Sequence, residues 1–156
     1  MSTESSVLLP PQGQRILVMM AHPDDAEFIC GGTIARLVAE GRDVYYVLVT
    51  SGNRGSHEAG MTMERLGKMR EDEQRHAAGV IGVRDVIFLG YNDGEVEVNL
   101  GLRKELVHAI RQVQPDVLFT FDPGDHMRFI QTIVMLACVR WMQLRRQGCQ
   151  CIILSN

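Results

Sequence analysis

Short apolar runs alternate with segments of helical periodicity along this chain, and that alternation restricts the fold more than any other feature. Ile16 to Met20 is an apolar run closed by Ala21-His22-Pro23 and reads as a buried strand. Val44 to Val49, rich in β-branched and aromatic residues, reads as a second strand, Val86 to Leu89 as a third and Val117 to Thr120 as a fourth. Cys151 to Leu154 closes the series. Between them lie helical patterns over Phe28 to Glu40, stopped by Gly41, over Met63 to Ile81, over Leu102 to Val113, and from about Arg128 to Gln147. In the second of these, Met69, Ala77 and Val80 are read as one apolar side. Strands alternating with helices specify a parallel sheet, because right-handed crossovers are nearly obligatory. The expected fold is α/β, a doubly wound, mostly parallel, Rossmann-like sheet with helices on both faces.

Length and composition agree with one domain. A chain of 156 residues buries roughly 70% of its unfolded surface on folding. Residues 1–14 read as a flexible N-terminal segment and 15–156 as one domain, with no internal repeat and no linker. Sixteen basic residues against nineteen acidic ones, a net charge of −3, leave no surplus to neutralise phosphates, so nucleic-acid binding is not expected. Cys30, Cys138, Cys149 and Cys151 form no zinc ribbon and are too few for a disulfide scaffold, which favours a reducing cytoplasm. Residues 1–14 have no basic region leading into an apolar core, so no signal peptide is read there. The longest apolar stretch, Phe129 to Val139, has eleven residues, short of the roughly 20 needed to span a bilayer. No membrane partner is expected.

In such sheets ligands bind beyond the carboxyl ends of the strands. Those positions carry His22, Asp24 and Asp25 after the first strand, Asn53 and Arg54 after the second, and Asn92 and Asp93 after the third. Asp122, Asp125 and His126 follow the fourth.

Ala21-His22-Pro23-Asp24-Asp25-Ala26-Glu27 is the stretch that carries chemistry. His22 and Asp25 supply one nitrogen and one oxygen from a single turn, a mixed set that suits zinc or another divalent metal. Asp24 is then free to act as general base on water. Pro23 fixes the turn, and Gly31-Gly32 allow close backbone approach. The plainer alternative is a polar turn in which Asp25 caps the following helix and His22 is solvated.

Ala-His-Pro-Asp-Asp-Ala-Glu followed by Gly31-Gly32-Thr33 resembles the opening of the LmbE-like, or PIG-L, family of zinc-dependent N-deacetylases. Arg70 to Glu73 with Gly79 to Val83, Phe88 to Gly94, and Pro115 to Pro123 resemble later family segments, so the likeness runs to about residue 131. The resemblance implies that His22 and Asp25 are zinc ligands, that Asp24 is the general base, and that Arg70 and Asp93 contact substrate. It implies hydrolysis of the acetamide of an N-acetylglucosamine-type amino sugar or its conjugate. In that chemistry the metal polarises the acetyl carbonyl while Asp24 takes a proton from the attacking water. The expected partner is that small molecule, with homo-oligomerisation left open.

The chain departs from the family at one motif. The family's His-Pro-Asp-His, whose last histidine is the third ligand and which also contributes a histidine for protonating the leaving amine, is absent. Pro123-Gly124-Asp125-His126 keeps only its final pair, which makes His126 the substitute candidate. The alternative function is therefore a catalytically impaired metal-binding remnant. His57, His76 and His108 read as solvated, Cys149 and Cys151 as inert, and the Met-rich tail as core filling. Arg70 has a second reading, pairing with Asp72 or Glu73 on its own helix. After about Gln131 the composition changes, with three of the four cysteines and the only Trp beyond it. Shifting the codons of Thr132 to Ala137 by one frame returns a string close to the missing motif, so a reading-frame slip is an expectation for the tail.

Overall fold

The computed structural model describes residues 14–97, 99–121 and 150–154. Five strands, β1 (Arg15–Met20), β2 (Asp43–Thr50), β3 (Asp85–Tyr91), β4 (Val117–Phe121) and β5 (Gln150–Leu154), form one sheet in the order β3-β2-β1-β4-β5. Every pairing is parallel. Among the described residues the helices are α1 (Asp25–Ala39), α2 (Met63–Ile81) and α3 (Leu100–Val113).

Each helix is delimited by local chemistry. Thr62 accepts a hydrogen bond from the Arg65 amide at 3.2 Å and Asn99 from the Leu102 amide at 3.0 Å, so both act as N-caps. Gly41 after α1 and Gly82 after α2 take left-handed φ values of 82° and 93°, which stop the helices where a residue with a Cβ would be strained. The acidic first turn of α1, Asp25 and Glu27, suits the positive end of the helix dipole.

β1 lies at the centre, and Ile16 to Met20 are wholly buried. Alternation divides that strand between two cores: Ile16, Val18 and Met20 pack with Ile34, Leu37 and Ala78 from α1 and α2, while Leu17 and Met19 pack with Leu102, Leu106 and Ile110 of α3. Helices therefore cover both faces of the sheet, as expected. Each fully buried Leu or Ile contributes roughly 1.5–3 kcal/mol. From β1 the chain winds outward through β2 to β3, then returns by α3 to place β4 on the other side of β1. That reversal puts the topological switch between β1 and β4, beside the carboxyl end of β1 where His22 follows.

Two packing expectations are corrected. α2 buries Leu66, Gly67, Gln74 and Ala78, while Met69 and Val80 are exposed, Val80 at 89%. Among the described residues, Gly31 and Gly32 are not sites of close approach to the sheet: a Cβ on Gly31 would meet only Glu27 Cβ at 3.9 Å, and one on Gly32 nothing within 4 Å. The expected helix from Arg128 to Gln147, the histidine at 126 and the proposed frame slip lie outside the described residues. No helix among the described residues is long and apolar enough to cross a membrane.

Candidate active site

The turn from β1 into α1 gathers the first motif. Asp25 is the first residue of α1, and its Oδ2 accepts from the His22 backbone amide at 2.8 Å. The same oxygen lies 3.5 Å from His22 Nδ1. On its far side the imidazole presents Nε2 to Asp93 Oδ1 at 2.9 Å. His22 therefore sits between two carboxylates from the ends of two different strands. The Asp25 hydrogen bond is the leading cause that raises its pKa above the usual histidine value; burial opposes it, and Asp93 adds a smaller push in the same direction.

The reading of Asp25 as a helix cap is not what the structure shows. Asp24 occupies the N-cap, with φ at 83° and no side-chain capping bond. That left-handed backbone costs a residue with a side chain about 1–2 kcal/mol, and surrounding contacts must hold it. Arg70 supplies several of them. Its Nη2 donates to Asp24 Oδ2 at 2.9 Å and to the Pro23 carbonyl at 3.2 Å, and its Nη1 donates to the Gly52 carbonyl at 3.1 Å. The ion-pair partner of Arg70 is thus Asp24, not Asp72 or Glu73. Burial along one side raises the Asp24 pKa above the usual carboxyl range, although half its side chain is open to solvent, and Arg70 only partly offsets this.

Two glycines make room for α2 against this edge. A Cβ on Gly52 would fall 2.4 Å from Arg70 Nη1, and Gly52 has a φ of 59°. A Cβ on Gly67 would meet Asn53 and Ser51 Cβ atoms at 3.3 and 3.4 Å.

Asn53, after β2, ties the next loop down: its Oδ1 accepts from the Asp93 amide at 2.9 Å and its Nδ2 donates to Asn92 Oδ1 at 2.8 Å. Arg54 pairs with Glu95 on the same loop, and Ser51 donates to Glu71 of α2. Asn53 is what sets Asp93 against His22, a role that only the fold reveals. Gln74 was also invisible to a hydrophobic pattern: it is 3% exposed, accepts from the Asp24 amide at 2.6 Å and donates to Glu27 Oε1 at 2.8 Å.

His22, Asp24, Asp25, Arg70 and Asp93 are thus brought to one edge. His57, His76 and His108 are exposed, as expected of solvated side chains. Among the described residues no set of three His, Cys, Asp or Glu side chains is arranged around one point as a metal site. The 3.5 Å between His22 Nδ1 and Asp25 Oδ2 is compatible in length with the edge of a tetrahedron with bonds of 2.0–2.1 Å, about 3.3 Å. Asp93, accepting from the other ring nitrogen, has the place of the carboxylate that commonly orients a ligating histidine. The donor set fits a divalent metal as far as it extends.

A doubly wound parallel α/β domain with its ionisable groups gathered beyond the carboxyl ends of its strands is the class that fold and site define. The chain belongs to the PIG-L family, described as GlcNAc-PI de-N-acetylase, whose model matches residues 17–134. Diacetylchitobiose deacetylase from Thermococcus kodakarensis is 33% identical over 110 residues, 70% of this chain and 41% of that protein. A 1D-myo-inositol 2-acetamido-2-deoxy-alpha-D-glucopyranoside deacetylase from Thermobispora bispora is 35% identical over 134 residues, 70% of this chain and 44% of that one. Among solved structures, N,N'-diacetylchitobiose deacetylase from Pyrococcus horikoshii superposes with a TM-score of 0.76 at 27% identity, covering 86% of this chain and 51% of its own. The chain spans about half the length, or less, of these relatives, between 41% and 51%.

Proposed function

We propose that the chain carries the metal-binding and general-base half of a zinc-dependent N-deacetylase acting on an N-acetylglucosamine-type amino sugar or its conjugate. The observation that carries this reading is the His22 ring held between Asp25 and Asp93, with Nδ1 and Asp25 Oδ2 3.5 Å apart. The relatives named above as deacetylases of diacetylchitobiose and of an acetamido-glucopyranoside supply the substrate class. His22 and Asp25 would hold the metal, and His126 is the sequence candidate for a third ligand. When bound, a divalent metal lowers the pKa of water and polarises an acyl oxygen.

The chain's own groups do the rest. Asp24 accepts a proton from the attacking water. Arg70 holds that carboxylate by a charge-assisted hydrogen bond, so the base is aimed before substrate arrives. With no His-Pro-Asp-His in the chain, the proton taken by Asp24 is the one available to the leaving amine. Asp93 orients His22, and Asn53 orients Asp93. The cysteine usage favours a reducing cytoplasm as the compartment.

The experiment is metal stoichiometry of the purified chain together with acetate release from N,N'-diacetylchitobiose. About one zinc per chain with acetate release supports the reading. One zinc without acetate supports the alternative, a metal-binding remnant lacking the His-Pro-Asp-His motif, and no retained metal overturns both.

A further inference from the structure

Arg70 and Gln74 stand one turn apart on α2 and grip opposite ends of the same peptide unit. Arg70 Nη2 donates to the Pro23 carbonyl at 3.2 Å, and the amide of that same unit, belonging to Asp24, donates to Gln74 Oε1 at 2.6 Å. The C=O and N–H of a trans peptide point in opposite directions, so a bond at each end fixes the rotation of the plane. That rotation sets φ of Asp24, which is 83°.

Gln74 is in turn held by Glu27. Its Nε2 donates to Glu27 Oε1 at 2.8 Å, which leaves only Oε1 free to face the Asp24 amide, so the amide cannot flip without losing both bonds. Behind Glu27 lies Tyr46, wholly buried, whose hydroxyl and the other Glu27 oxygen have no hydrogen-bond partner among the described residues. Glu27 is close enough to that hydroxyl to add to the rise that burial imposes on its pKa. The chain from β2 through α1 to α2 is buried at Tyr46 and Gln74, and it borders a cleft of about 270 Å³ that also runs past Asp24 and Arg70.

We propose that Gln74, fixed by Glu27, is a positioning residue that with Arg70 clamps the Pro23–Asp24 peptide and so aims the Asp24 carboxylate. The aiming of a base rests on the deacetylase reading; the clamp itself does not. Asp enters the left-handed region more readily than most residues with a side chain, and bonds at both ends of the preceding peptide hold it there.

The test uses the full chain with the substitutions Gln74→Leu, Glu27→Leu and Glu27→Gln. Hydrogen exchange of the Asp24 amide should speed up about tenfold or more in Gln74→Leu and Glu27→Leu. Glu27→Gln keeps an acceptor for Gln74 Nε2 and should retain the wild-type exchange rate. Zinc affinity should change little, because His22 and Asp25 are not in the clamp, while kcat on N,N'-diacetylchitobiose falls between about tenfold and a hundredfold at unchanged KM. Unchanged Asp24 exchange in Gln74→Leu overturns the clamp, as does Glu27→Gln behaving like Glu27→Leu. If Gln74→Leu fails to fold, the Glu27 pair alone decides. If the zinc-loaded wild type releases no acetate, the deacetylase reading falls and amide exchange still decides the clamp.

Discussion

His22 Nε2 meets Asp93 Oδ1 at 2.9 Å, a contact between residues 71 positions apart that joins the ends of β1 and β3. If Nδ1 binds metal, Nε2–H donates to Asp93, and removing that acceptor leaves the ring free to turn. Asp93→Ala is therefore expected to weaken zinc binding by about 10–100-fold, read by competition with a chelating dye. Zinc affinity equal to wild type shows that Asp93 does not orient the ligand.

Asp24 and Asp25 are adjacent but face different partners, Arg70 and His22. Asp25→Ala should abolish zinc retention. Asp24→Asn should keep the metal and lower turnover by roughly 10²–10⁴-fold, the usual scale of general-base catalysis. Equal zinc loss in both variants contradicts the division of roles.

Gly52 is required by Arg70. A Cβ there would lie 2.4 Å from Nη1 at a φ of 59°, so Gly52→Ala both strains the backbone and expels the guanidinium. The expected loss is about 1–3 kcal/mol in a urea unfolding curve, together with loss of the Arg70–Asp24 pair. Unchanged stability and turnover would mean that the turn and the arginine relax together.

The metal-free protein should show a His22 pKa above 6.5, the ordinary value, measured by NMR titration. A raised folded value stabilises the fold below the unfolded pKa, and the contribution disappears as pH rises through the folded value. Asp25→Ala should lower the His22 pKa more than Asp93→Ala does, because the Asp25 hydrogen bond is the larger cause. The reverse order would assign the shift to Asp93.

Much of this arrangement is written in local sequence. α2 is readable over Met63 to Ile81 from its helical periodicity, and the structure shows Thr62 and Gly82 capping those same bounds. The strands are readable because β1 is buried on both faces, which demands an unbroken apolar run. His22, Asp24 and Asp25 are legible because they share one turn. What faces what across space is another matter. The buried side of α2 is not its Met69–Val80 stripe but one that includes Gln74, because a polar side chain can be buried once both ends of its amide are bonded, and those bonds come from α1. Arg70 ignores the acids beside it on α2 because Gly52, Pro23 and Asp24 give its planar fork several acceptors at once. Sequence by itself determined the described elements, the parallel character of their sheet and the edge that carries His22, Asp24, Asp25 and Asp93, since each depends on periodicity or on neighbours within a few residues. Only the tertiary structure decided that Asp93 meets His22 and that Arg70 and Gln74 close on one peptide, because those bonds join residues 47 to 71 positions apart and exist only after the sheet has brought the strand ends together.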